Sequence, residues 1–128
     1  MNKMWILADF ENALIQLRSA LSQPANCDLL RAGCIQYFEF TFELAWKAIK
    51  AASRDAGLPE CLSPKACLKQ AFASGWVDSE EVWLEMLEAR NRMSHTYKVK
   101  DALTVYDSLP SFIPPLMGLC SALKTAST

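Results

Sequence analysis

The chain has 128 residues, of which 52% are hydrophobic and 21% charged, with a formal net charge of -1 and a single histidine. This length fits a single domain, residues 1–128, built around one hydrophobic core. The near-neutral balance excludes a uniformly basic nucleic-acid-binding surface, so any contact with RNA has to be local.

The N-terminal segment and the cysteines favour a protein of the reducing cytoplasm. Asp9 and Glu11 come too early for a signal peptide, and prolines interrupt the weakly charged residues 103–122, so we expect a cytoplasmic protein without a membrane segment. No C-x-x-C spacing and no paired histidine motif occur, so a zinc site is not expected and the thiols are expected to be small buried groups in a reducing compartment. We expect no other metal and no cofactor. The five cysteines are Cys27, Cys34, Cys61, Cys67 and Cys120.

Apolar residues recur every three or four positions along most of the chain, which predicts helices, and no stretch shows the alternation of a strand. The first helix is expected over residues 2–21 and stops before Pro24. The second is expected over residues 28–56, with Asp28 as its N-cap and Gly57 just past its end.

This second predicted helix is apolar around most of its circumference. Such a helix is covered on most sides, so it lies at the centre of a bundle or also supplies a subunit interface. Its polar residues fall on one narrow stripe, composed of Gln36, Glu39, Glu43, Lys47, Lys50 and Arg54.

Two shorter helices follow in the second half of the chain. Ser63 before Pro64 marks the start of the third helix, because serine caps a helix and proline suits its first position, and Gly75 ends it. The fourth begins near Asp78 or Ser79 and carries an apolar face that reaches residue 87.

A fifth helix is expected to begin near Asp101. Pro110, Pro114 and Pro115 should kink or split it, because each proline removes a hydrogen bond and clashes with the preceding turn. Short connections between helices favour antiparallel neighbours. The predicted fold is therefore all-α, an antiparallel up-and-down bundle of about five helices.

The end of the fourth helix, "EARNRMSHTYK" at residues 88–98, has two interpretations. The charged residues from 78 to 88 are all acids and those from 90 to 100 are all bases, which is the distribution that the helix dipole favours. This accounts for Arg92, Lys98 and Lys100. Arg90 is different, because it continues the apolar face of Met86. A charge at that place has to be paired or has to face a cleft.

The residue types at Arg90 and His95 fit phosphodiester transfer without a metal. A histidine titrates near neutral pH and can remove a proton from a 2′-hydroxyl. An arginine grips phosphate oxygens and neutralises the charge that develops on them. The bare R-x4-H spacing is common by chance and does not decide between the two interpretations.

Two further features of the second helix carry alternatives. Glu39 and Glu43 form an acidic pair that is either part of a solvated stripe or turns inward to meet Arg90 or His95. Trp46 is expected in the core, like Trp76 and Trp83 elsewhere in the chain, with base stacking as the alternative for all three.

Three segments together resemble a known family. Residues 90–97 read R-x4-H-x-Y, the second helix contains "FEFTFELAWK", and residues 63–97 resemble the second half of the same proteins. The chain is identified by this resemblance as a member of the HEPN superfamily, in the branch of nucleotidyltransferase substrate-binding proteins. The likeness covers roughly residues 2–109, and the helical segment is its most specific part.

The resemblance implies a dimeric helical bundle that works beside a minimal nucleotidyltransferase. Many HEPN proteins are metal-independent ribonucleases, with the motif histidine, here His95, as acid or base and the motif arginine, here Arg90, on the phosphate. Asn91 would orient the site. In toxin pairs of this type the partner transfers AMP to the motif tyrosine, here Tyr97, and thereby silences the ribonuclease.

Two other functions remain open at this stage. The chain could be a non-catalytic subunit that holds a nucleotide or another substrate for the transferase, with His95 serving only as a hydrogen-bond partner. It could also be a structural dimer that docks the transferase through its second helix.

Overall fold

A computed structural model describes the backbone of residues 3–95 and 98–126, and the side chains of residues 5–93 and 98–126. The described residues form helices and no strand, which confirms the all-α prediction. The helices are α1 Lys3–Leu21, α2 Asp28–Asp55, α3 Pro64–Ala73, α4 Glu80–His95 and α5 Val99–Ala126.

Helix α2 lies at the centre of the bundle. It packs against each of the other helices, most extensively against α1 and α5. Phe38 stacks on Phe112 of α5 with 5.5 Å between ring centroids, and Phe42 meets Trp83 of α4 at 6.4 Å. The nearly continuous apolar surface of α2 is thus used to join α4 and α5 through one aromatic cluster.

Local capping chemistry sets several helix ends. The hydroxyl of Ser63 accepts a hydrogen bond from the Ala66 N–H at 3.1 Å, as the cap prediction requires. Gly57 and Gly75 end α2 and α3 with φ values of 74° and 77°, a conformation that glycine adopts without a steric cost.

The predicted N-cap of α2 is wrong by one residue. Cys27 occupies the cap position and makes no side-chain capping bond, whereas Asp28 is the first helical residue. The Asp28 carboxylate pairs instead with Arg31 at 2.8 Å. An acid in the first turn still interacts favourably with the helix dipole, so Asp28 stabilises the start of α2 although it is not the cap residue.

The predicted break in α5 does not occur. The helix is continuous through Pro110, Pro114 and Pro115. Pro110 and Pro114 lie on an exposed side of the helix, and Pro115 is half-buried. The opposite face buries Phe112 and Leu116, and this packing outweighs the local preference of the prolines.

The cysteine prediction needs correction. Cys61 and Cys67 are joined by a disulfide bond across 5.1 Å between their Cα atoms, and the thiol of Cys27 is exposed. Cys34 and Cys120 are buried free thiols, as expected, and burial raises the pKa of each. The disulfide ties the loop after α2 to the first turn of α3.

None of the helices in the described ranges combines the length and the apolar character that crossing a membrane requires.

Candidate functional site

Arg90 lies on the face of α4 that points towards α2. Its side chain is 31% exposed, and its Nη2 lies 3.3 Å from Oε2 of Glu43. Its Nη1 donates a hydrogen bond to Oδ1 of Asn91 at 3.0 Å. The guanidinium is therefore held at both ends while part of it remains open to solvent.

Glu43 is the centre of a small polar network. Its Oε2 accepts from Trp46 Nε1 at 3.0 Å as well as from Arg90, and its Oε1 lies 3.5 Å from Lys47 Nζ. Of the two acids that sequence reasoning considered, Glu43 is the one paired with Arg90. Charge-assisted bonds of this kind fix the orientation of a guanidinium, whose planar fork requires defined partners.

Glu39 lies one turn earlier on α2 and is half-buried. Burial raises the pKa of its carboxyl, and the positive charge of Arg90 partly offsets that rise. The positive charge of Arg90 thus acts on both Glu39 and Glu43.

Asn91 and Arg92 follow Arg90 on α4, but both are exposed whereas Arg90 is half-buried. Asn91 is exposed and holds Arg90 through its side-chain oxygen. Arg92 forms an i, i+4 ion pair with Glu88 at 3.0 Å. Arg92 therefore behaves as an ordinary surface cation, as the dipole interpretation predicted.

The remaining motif residues are only partly described. His95 is the last residue of α4, and its side chain lies outside the described residues, as does Tyr97 altogether. The contacts of Arg90 with Glu43 and Asn91 are thus defined. The functional roles assigned to the motif and its neighbours remain predictions, namely those of Arg90, His95, Asn91, Glu39, Glu43 and Tyr97.

Sequence reasoning assigned Trp46 to the core and did not foresee its polar contact. The ring is half-buried, and its N–H supports the carboxylate that holds Arg90. The signal was present in the spacing, because Trp46 follows Glu43 by three residues and so lies beside it on a helix.

The described side chains do not form a cluster of metal ligands. Among them, no three histidine, cysteine, aspartate or glutamate residues lie together as a group able to hold a metal ion.

Comparison with known proteins identifies the family. The family model described as "Nucleotidyltransferase substrate binding protein like" matches residues 6–125. The chain belongs to this family. The match confirms the resemblance that the R-x4-H-x-Y motif and the α2 segment indicated.

Individual members of the nucleotidyltransferase substrate-binding family agree with this assignment. A Haemophilus influenzae relative named "Probable ribonuclease HepT" is 33% identical over 90 residues, which is 67% of this chain and 62% of the relative. The match thus spans less than two thirds of that relative's length.

Two solved structures share the fold. A Thermus thermophilus protein has a TM-score of 0.83 at 28% identity, covering 90% of this chain and 98% of that one. A Haemophilus influenzae protein, described as revealing the fold of a substrate binding domain of a nucleotidyltransferase, has a TM-score of 0.80 at 27% identity. That match covers 92% of this chain and 98% of the other.

Proposed function

We propose that this family member is the HEPN partner of a minimal nucleotidyltransferase and acts as a toxin-like ribonuclease that needs no metal. The observation that carries the proposal is the half-buried guanidinium of Arg90, held by Glu43 at 3.3 Å and by Asn91 at 3.0 Å, five positions before His95. The relative named as a ribonuclease supports the same activity.

The chemistry assigns one task to each residue. His95 removes the proton from a 2′-hydroxyl, and the 2′-oxygen attacks the adjacent phosphorus. Arg90 neutralises the charge that develops on the non-bridging phosphate oxygens. The bond to the 5′-oxygen breaks, that oxygen takes a proton from water, and the proton held by His95 returns to the solvent, so no proton is gained or lost overall. The products are a 2′,3′-cyclic phosphate end and a 5′-hydroxyl end.

The partner silences the enzyme by transferring AMP from ATP to the hydroxyl oxygen of Tyr97, with pyrophosphate as the leaving group. Tyr97 follows His95 by two positions, so the modification adds bulk and negative charge beside the phosphate-binding residues. Both effects disfavour RNA. The solved relative described as a substrate binding domain of a nucleotidyltransferase supports such a partner.

A homodimer is the assembly that the resemblance implies. Helix α2 leaves Leu29 and Phe40 exposed on its surface, which supports a role for this helix in an interface. Light scattering of the purified chain tests the dimer, and a monomer at micromolar concentration contradicts it.

The cleavage test uses RNA, a chelator in excess and the purified protein. We expect wild type to cut and to leave cyclic phosphate ends, and we expect His95→Ala and Arg90→Ala to lose about 100-fold or more in rate. Arg92→Ala is the matched control, because it removes the same charge from the same helix. Equal rates for wild type and His95→Ala refute the ribonuclease.

The partner test is co-expression with the nucleotidyltransferase, followed by mass spectrometry of the peptide that contains Tyr97. A mass increase of one AMP group on Tyr97 is expected, together with loss of cleavage. An unmodified Tyr97 in the presence of an active partner argues against silencing by AMP transfer.

A non-catalytic subunit is the second candidate. Arg90 is already partly neutralised by Glu43, and the chain's net charge of -1 gives no general attraction for RNA. This alternative predicts that a nucleotide or the transferase's substrate binds at Arg90 while RNA stays intact and expression does not arrest growth.

A further inference from the structure

A groove runs between the start of α1 and the C-terminal half of α2. Its volume is about 330 Å³, which lies within the range of small-ligand sites. We call it the α1–α2 groove. It is lined by Ile6, Trp46, Lys47, Lys50, Ala51 and Arg54.

The described residues that line the α1–α2 groove are cationic or apolar, and none of them is an acid. Lys50 and Arg54 share one carboxylate, that of Glu60, at 3.8 and 3.1 Å. Glu43 is likewise shared, between Lys47 and Arg90. The three cations that line the groove, Lys47, Lys50 and Arg54, therefore contact two carboxylates, and one of these is also shared with Arg90 outside the groove.

The three lining cations follow one side of a helix. Lys47, Lys50 and Arg54 are spaced three and four residues apart, so they extend over about 10 Å at 1.5 Å per residue. The side chain of Lys50 is 32% exposed and that of Arg54 is 65% exposed, so both can reach a ligand. A linear row of cations suits a chain of phosphates better than a single anion.

Trp46 adds an aromatic wall. Its ring is half-buried and lines the groove, and the hydrogen bond from Nε1 to Glu43 fixes the ring in place. Ile6 and Ala51 add apolar surface. A positively charged groove with an aromatic ring is the arrangement by which proteins bind single-stranded nucleic acid, with bases stacked on the ring and phosphates on the cations.

The groove is linked to the Arg90 site through the carboxylate of Glu43. Trp46 Nε1 and Arg90 Nη2 both contact the same oxygen of Glu43, at 3.0 and 3.3 Å. One carboxylate therefore separates the wall of the groove from the residue proposed to hold the scissile phosphate.

We propose that the α1–α2 groove binds the nucleotides that flank the cleavage point of single-stranded RNA. One base stacks on Trp46, and the neighbouring phosphates contact Lys50 and Arg54. The identity of the strand as RNA rests on the proposed ribonuclease function, whereas the site itself rests on the lining of the groove.

The test measures binding of a fluorescent single-stranded RNA to the full-length His95→Ala protein, which is silent in cleavage, at several salt concentrations. Each phosphate contact on a single strand contributes about 0.7 to the slope of log affinity against log salt. The double variant Lys50→Gln/Arg54→Gln is expected to lower that slope by about 1.4 and to weaken binding about tenfold or more. Trp46→Ala is expected to weaken it to a similar degree, and Trp46→Phe less, because a ring remains.

The matched control is Lys65→Gln/Lys69→Gln on α3. It removes the same net charge from exposed positions outside the groove, where Lys69 pairs with Glu80 at 3.0 Å. We expect the control to bind RNA as the parent does. If the two double variants have the same affinity and the same salt slope, the groove does not bind RNA.

Failure of the groove and failure of the ribonuclease are distinguishable. If the groove variants lose RNA binding but wild type does not cut, the groove stands and the ribonuclease fails. If wild type cuts and the groove variants bind normally, the groove fails alone. If ATP binds with a dependence on Lys50 and Arg54 while RNA binding does not depend on them, the groove is a mononucleotide site and this proposal is overturned.

Discussion

Oε2 of Glu43 on α2 and Nη2 of Arg90 on α4 lie 3.3 Å apart although 47 positions separate the two residues in the chain. Arg90 belongs to the R-x4-H-x-Y motif, residues 90–97, whereas Glu43 lies on α2, outside that motif. The carboxylate of Glu43 holds the motif's arginine in place. Because Trp46 donates to the same carboxylate oxygen, the orientation of Arg90 depends on the packing of α2 as well as on α4. The motif by itself therefore supplies only half of the site.

Glu43→Gln tests this dependence in the RNA cleavage assay. The amide oxygen still accepts a hydrogen bond, but the charge that holds Arg90 is lost, so in the proposed ribonuclease the guanidinium would be less well oriented towards the phosphate. We expect kcat to fall about tenfold with little change in KM, because orientation contributes to the transition state more than to binding. Single-turnover and steady-state kinetics separate the two.

Glu88→Gln is the control for that substitution. It makes the same change of charge on an exposed acid of α4, whose ionic partner is Arg92. Equal cleavage by the two variants means that Glu43 does not position Arg90.

Sequence reasoning located most of the fold because the relevant chemistry is local. The cap at Ser63 and the glycine ends at Gly57 and Gly75 depend on a few neighbouring residues, and all three are present. The recurrence of apolar residues every three or four positions and the short connections predicted the bundle, and the likeness of the α2 segment to a family agreed with it. Arg90 could be singled out because a charge on an apolar face needs a partner.

Other features depend on distances that the sequence does not contain. The Cys61–Cys67 disulfide requires two Cα atoms 5.1 Å apart, and only the path of the loop before α3 brings them together. The continuity of α5 through Pro110 depends on tertiary burial of its opposite face. The choice of Glu43 over Glu39 as the partner of Arg90 depends on where α4 crosses α2.

Phe42→Ala and Phe40→Ala test the two sides of α2. Phe42 is fully buried between Phe38 and Trp83, at 6.1 and 6.4 Å between ring centroids, whereas Phe40 is 53% exposed. Removing the buried ring leaves a cavity and is expected to lower the free energy of unfolding by about 3–5 kcal/mol. Removing the exposed ring should change the free energy of unfolding by less than about 0.5 kcal/mol. Urea denaturation at a concentration low enough for the protein to be monomeric provides the measurement. Similar losses for both variants contradict the assigned orientation of α2.

The disulfide predicts a definite count of reactive thiols. Of the five cysteines, Cys27, Cys34 and Cys120 are free and Cys61 and Cys67 are bonded to each other. Alkylation of the denatured protein should add three groups without reductant and five after reduction, as read by mass spectrometry. In the native protein only the exposed Cys27 should react quickly, because the other two free thiols are buried and burial raises their pKa values. Five groups added to air-purified protein without reductant mean that the bond does not form.

Glu39 predicts a specific dependence of stability on pH. Burial raises the pKa of its carboxyl in the folded protein, so the folded state retains a proton that the unfolded state has already released. The contribution of this group to the free energy of unfolding therefore falls as pH rises from the unfolded value, about 4.3, through the raised folded value. Glu39→Gln cannot ionise and should become more stable relative to wild type as pH rises across that window. Below the window, Glu39 of wild type is protonated in both the folded and the unfolded state, so the difference in stability between the two proteins should not depend on pH there. Urea midpoints of both proteins between about pH 4 and pH 8 provide the measurement. Glu85→Gln, an exposed acid of α4, is the control, and a difference between Glu39→Gln and wild type that stays constant with pH contradicts the assigned burial effect.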